Sequence, residues 1–364
     1  MTLTFPHMGN TYITAKVLSD ELGLSYVVPS FDIKKALEIG SKIAPESACL
    51  PLKINLGNYI QAYSEGADTI LITGGKGPCR FGYYSEIEKS ILKDMGINME
   101  VIALEVPDNG IMGLVDRIKK ITGGFNVYRI TKAFMAAANT SVKVDELERL
   151  TFKTRAREIE KGTTNMIYNN FRREVLNCLG YREVQEKILS TMGELEKIRL
   201  DTEVEPLKVG IIGEIYTTID SDTSMNMDIR LGNMGIEVSR AVTVSGWVLD
   251  HMLKPALHLP TDDRFEKYSK PYLKTMIGGH AQETVGNSII YAKDGYDGLL
   301  QIYPLTCMPE IVAQCILPAV SNDYNIPLLT LIIDEMSGEE GYVTRLEAFV
   351  DLLKKRRERG RIAL

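Results

Sequence analysis

At 364 residues the chain is longer than a single hydrophobic core usually serves, so two compact domains are expected. Apolar residues make up 45% and charged residues 25%, ordinary proportions for a globular protein. A net charge of −6 argues against any general affinity for nucleic acid or for an anionic membrane.

The first part of the chain alternates short apolar runs with amphipathic segments, the pattern of a parallel sheet flanked by helices. Strands are predicted at Thr2–Phe5, Ser25–Val28, Thr69–Thr73 and Met99–Leu104. Helices are predicted at Thr11–Leu22, Ile33–Ile43, Leu50–Ser64, Tyr83–Met95 and Ile111–Ile121. Gly23, Gly66 and Gly96 each follow such a helix, where a left-handed residue turns the chain into the next strand. From Ala133 to Arg199 proline is absent and Glu, Arg, Lys and Leu dominate at helical spacing, which predicts a helical insertion.

At Lys208 the α/β rhythm returns. Strands are expected at Lys208–Ile215, Glu237–Ala241, Gly298–Tyr303 and Leu328–Ile333. Helices are expected at Met225–Asn233, Arg264–Thr275, Ala281–Ala292, Met308–Val320 and Glu340–Lys355. The fold class is therefore α/β: two Rossmann-like parallel-sheet domains, at 1–132 and 207–364, with a helical insertion at 133–206 between them. No internal repeat is evident, and the two halves share only a weak architectural similarity. The basic run from Lys354 to Arg361 reads as a solvated helix end whose cations complement the helix dipole.

No stretch approaches the ~20 apolar residues of a membrane span. The N-terminal MTLTFPHMGN lacks the charged and apolar regions of a secretory signal, so a cytoplasmic protein with reduced thiols is expected. Three of its five cysteines share a setting. Cys49 lies at a helix entry within Pro45–Pro51, Cys79 follows the strand Thr69–Thr73, and Cys307 follows the strand Gly298–Tyr303. Ligands of open α/β sheets collect at the carboxyl ends of the strands, and a thiol at a helix N-terminus ionises readily. Prolines beside all three restrict the backbone. Three thiolates suit a 4Fe–4S cubane with one non-cysteine iron, and a cleft between the domains is expected to bring them together. Gly74, Gly75 and Gly77 would let backbone N–H groups approach the sulfides. The alternative is that all five cysteines are small buried side chains, since no CxxC pair supports a metal site. Cys178, placed mid-helix in the insertion, and Cys315 read as core, with an alternate-ligand role the second reading for Cys315.

The stretches ESACLPLK (46–53), GPCRFG (77–82), VGIIGEIY (209–216) and CMPE (307–310) resemble the 2-hydroxyacyl-CoA dehydratase/benzoyl-CoA reductase family, in the branch related to CoA-substrate-specific enzyme activases. The resemblance covers both α/β halves. It implies one 4Fe–4S cluster on Cys49, Cys79 and Cys307, and a separate ATP-dependent activase as partner that injects low-potential electrons. It also implies an acyl-CoA substrate, reduced in the dehydratases to a ketyl radical from which the 2-hydroxyl departs. No P-loop is present, consistent with the component that does not hydrolyse ATP.

Other residues carry weaker signals. His280 and Glu283 open a helix after two glycines and are candidates for acid/base work, or equally for a capping arrangement. Arg80, Glu214, Tyr216 and Glu310 stand beside the expected sites, His7 and Asn10 lie at the first strand–helix turn, and Met225 and Met227 read as gap-filling core. An iron–sulfur lyase or reductase component, assembled as a homo- or heterodimer, is one reading. A cluster-bearing electron carrier or cluster-insertion partner is the second, and a metal-free binding protein the third.

Overall fold

The computed structural model describes residues 1–73, 79–104, 111–124, 126–248 and 264–362. The chain divides into two compact units, Met1–Lys143 with Val175–Glu186, and Val144–Glu174 with Lys187–Leu364. Both units are α/β, and each has a four-stranded, all-parallel sheet.

In unit one the elements run β1 (Thr2–Thr4), α1 (Thr11–Leu22), β2 (Ser25–Tyr26), α2 (Ile33–Ser41), α3 (Leu50–Ser64), β3 (Thr69–Thr73), a 3-10 turn (Arg80–Tyr83), α4 (Tyr84–Asp94), β4 (Glu100–Leu104) and α5 (Ile111–Thr122). The strand order is β2-β1-β3-β4. Gly23, Gly66 and Gly96 all adopt positive φ, as their helix-ending positions require. Leu52, Leu56 and Tyr59 of α3 pack with Ile70 and Ile72 of β3 and Leu92 of α4. The helices α2 and α3 cross backbone against backbone. A Cβ on Gly40 would lie 1.7 Å from the Lys53 carbonyl oxygen, and one on Gly57 would lie 1.8 Å from that of Ala36.

The predicted helical middle comprises α6 (Val127–Arg157), α7 (Thr163–Glu174) and α8 (Gly180–Glu196). In unit one the amides that open α8 are capped by acids of α1: Gly180 N donates to Asp20 Oδ2 at 2.9 Å and Tyr181 N to Glu21 Oε1 at 3.0 Å. Cys178 is not inside a helix, as the sequence led us to expect. It lies between the short 3-10 turn Val175–Asn177 and α8, half-buried.

Unit two continues with β5 (Leu207–Gly213), α9 (Ile215–Ile219), α10 (Met227–Asn233), β6 (Ile236–Arg240), α11 (Val244–Val248), α12 (Arg264–Ser269), α13 (Ala281–Lys293), β7 (Gly298–Pro304), α14 (Met308–Asp323), β8 (Leu328–Ile333) and α15 (Glu339–Ile362). Its order, β6-β5-β7-β8, repeats that of unit one strand for strand. The architectural similarity of the halves is therefore closer than their sequences suggest. Every residue of β7 is buried, as a central parallel strand covered on both faces should be. The Arg240 guanidinium binds Asp228 of α10 at 2.7 Å and Glu148 of α6 at 3.2 Å, tying these helices to β6 within the unit. Met227 is fully buried, but Cys315 is exposed on α14 and is not core. No helix among the described residues is long and apolar enough to cross a membrane.

Because α2 and α3 leave no room for a methyl, Gly57→Ala is expected to destabilise the protein. A loss of about 1–3 kcal/mol is expected despite alanine's better helix propensity, read as a lower urea midpoint for the transition that unfolds unit one.

Candidate functional site

In each sheet the first strand leads to the second on one side, and the third leads to the fourth on the other. The order therefore reverses between β1 and β3 in unit one and between β5 and β7 in unit two. The crevice at the carboxyl ends of such a strand pair is where open α/β sheets hold ligands. Cys79 follows β3 and Cys307 follows β7, the third strand of each sheet.

Each of the three expected cysteines is a helix N-cap with extended backbone. Cys49 caps α3 (φ −72°, ψ 156°), Cys79 caps the 3-10 turn (φ −66°, ψ 131°) and Cys307 caps α14 (φ −70°, ψ 99°). Pro51 and Pro309 occupy the first turns of α3 and α14, where a missing N–H costs nothing. The N–H groups at such an end favour a thiolate. Gly74, Gly75 and Gly77, expected beside Cys79, lie outside the described residues. Taken singly, each of the three is a soft sulfur donor, free of disulfides and at a helix start, the kind of ligand that iron–sulfur groups use; Cys49 and Cys79 belong to unit one and Cys307 to unit two.

Within unit one the segments carrying Cys49 and Cys79 meet. Arg80 Nη1 donates to the Ser47 carbonyl oxygen at 2.7 Å, and the Tyr84 hydroxyl contacts Cys49 Sγ. One turn along α4, Glu88 is fully buried, and its Oε1 accepts from Asn55 Nδ2 of α3 at 3.3 Å. Burial pushes the Glu88 carboxyl up to about 8, against the opposing effect of the Asn55 bond. His7 and Asn10, at the end of β1, are both buried, with Phe31 edge-on to the His7 ring at 5.4 Å.

In unit two Cys307 is 8% exposed and closes a tight turn: its N–H donates to the Pro304 carbonyl oxygen at 3.0 Å, while Leu305 N donates to that of Ile333 at 2.8 Å. Thr306 within the turn has φ +67°, a conformation costly for a β-branched residue. Gly279 packs directly on α14, since a Cβ there would lie 2.6 Å from Pro309 Cγ. This brings the start of α13 up to the Cys307 helix. His280 caps α13, and its Nε2 stands 3.9 Å from Glu283 Oε2, beyond hydrogen-bond length.

Glu310, one turn into α14, is completely buried. Thr284 Oγ1 donates to its Oε1 at 2.8 Å and Gln301 Nε2 to its Oε2 at 3.0 Å. Burial pushes its carboxyl up to about 7; those two bonds oppose the shift and the charge of Glu214 adds to it. Glu214, capping α9 at the end of β5, accepts from the backbone N–H groups of Tyr216 and Thr217, and burial raises its carboxyl as well. Tyr84 and Glu88 were not singled out from the sequence. Their signal is an acid set in the apolar stripe Tyr84, Glu88, Leu92 of α4.

No family model matches this chain, and no curated protein matches it.

A carboxyl held at a raised pKa in the folded state loses its stabilising proton as pH rises. The Glu88 contribution is therefore present below the unfolded value near ~4.3 and disappears progressively up to about 8. Glu88→Gln is expected to abolish this decline, so that its melting temperature overtakes that of the wild type as pH is raised through that window.

Proposed function

We propose that the chain is an iron–sulfur protein of the 2-hydroxyacyl-CoA dehydratase type, binding one 4Fe–4S cluster through Cys49, Cys79 and Cys307. The observation that carries this reading is the common placement of the three thiols as extended N-caps, two of them at matching strand ends of two like sheets. The short motifs around them, and their likeness to that family, supply the rest. When bound, such a cluster supplies a low-potential electron and an iron open to Lewis-acid contact with the substrate.

The chain's own residues have defined tasks in this reading. The N-terminal N–H groups of α3 and α14 favour the thiolate form that a metal ligand needs at Cys49 and Cys307. Glu310 holds a proton near neutral pH in a pocket of neutral partners, and His280 and Glu283 offer acid/base groups beside the Cys307 helix. Electrons come from a separate ATP-dependent activase, and the substrate is an acyl-CoA thioester undergoing radical dehydration or reduction. The cytoplasm suits such a protein, because its thiol ligands must stay reduced.

Anaerobic reconstitution is expected to give brown protein with ~4 irons per chain and an EPR signal on reduction. Cys49→Ser, Cys79→Ser and Cys307→Ser should each strip or destabilise the cluster, while Cys178→Ser leaves the iron content unchanged. Colourless wild-type protein would refute the proposal. A loaded protein whose spectrum no acyl-CoA perturbs, yet which passes electrons or clusters to another protein, would be a carrier and not an enzyme.

A further inference from the structure

Cys49 and Tyr84 are 35 residues apart in sequence, yet the phenol oxygen lies against the sulfur. The contact is built in from several sides. Tyr84 is 3% exposed and shares a core cluster with Leu52, Leu56 and Ile72, so its ring has no room to swing away. Phe81 packs on that ring with centroids 5.1 Å apart. Arg80, on the same short turn, holds the Cys49 loop at the Ser47 carbonyl oxygen, two residues before the cysteine. The 3-10 turn and the start of α4 thus grip the Cys49 segment at one point each.

A cysteine serving as a metal ligand is a thiolate, which accepts hydrogen bonds and has no proton to give. The tyrosine must then be the donor. Hydrogen bonds to the sulfurs of an iron–sulfur group stabilise its more negative, reduced state and so raise its potential. We infer that Tyr84 is a positioning residue for Cys49, its O–H fixing the direction of the thiolate and raising the reduction potential of the group bound there. This rests on the iron–sulfur reading above.

Tyr84→Phe keeps the ring and removes only the O–H. The reconstituted variant is expected to carry wild-type iron and sulfide and to melt near the wild-type temperature. Its midpoint potential, titrated by EPR, should be more negative. A ring-fluorinated tyrosine at position 84, a stronger donor when studied at mildly acidic pH, should shift the potential the other way. If the Phe protein does not fold, the fluorinated protein decides alone. Loaded proteins whose potentials do not move remove the role of Tyr84 and leave the iron–sulfur reading standing. A wild type that takes up neither iron nor sulfide removes both.

Discussion

A parallel strand cannot be followed directly by its neighbour, because the chain has to travel back along the sheet before it can start again. Here the return is made through helices, so each strand is followed along the chain by a helical element that starts beyond the strand's carboxyl end. That constraint governs where chemistry can sit. It gives a cysteine after β3 and another after β7 the same surroundings: a strand end behind, a helix start ahead and N–H groups nearby. Glu214 stands in the same position after β5 and accepts the N–H groups of its own short helix.

Behind those turns both units bury carboxyls without placing a cation on them, among the described residues. Glu88 faces an asparagine, and Glu310 faces a threonine and a glutamine whose own oxygen accepts from Thr330 at 3.1 Å. Desolvation outweighs these neutral bonds, which is why both acids hold their protons well above the usual carboxylate range. The Arg240 network shows the other solution, in which two acids and a guanidinium are buried together and compensate one another.

Much of the fold was legible in the sequence because its signals are local. Apolar runs rich in β-branched residues marked β3 and β8, and glycines marked the ends of α1, α3 and α4. Strand order is not local, and nothing in the residues themselves announced that β6-β5-β7-β8 would repeat β2-β1-β3-β4. The short helices α9 and α11 are also too brief to leave a period. At the candidate site the cysteines and their prolines stood out. Tyr84 did not, because a tyrosine at the head of an amphipathic helix reads as packing until its hydroxyl is seen against a sulfur. Cys315 was misjudged because its stretch is apolar nearly all round: it shares the exposed face of α14 with Met308 and Ile311, while Ala313, Leu317 and Val320 take the buried one.

The left-handed Thr306 has a bearing on how this chain would respond to laboratory evolution. Glycine occupies that region of backbone space freely and asparagine tolerates it, whereas threonine pays on the order of 1–3 kcal/mol for it. A library at position 306 sorted for heat resistance alone would be drawn toward glycine or asparagine. The margin by which those replacements outrank threonine would gauge how firmly the bond from Cys307 to the Pro304 carbonyl and the anchor on the Ile333 carbonyl together impose the turn.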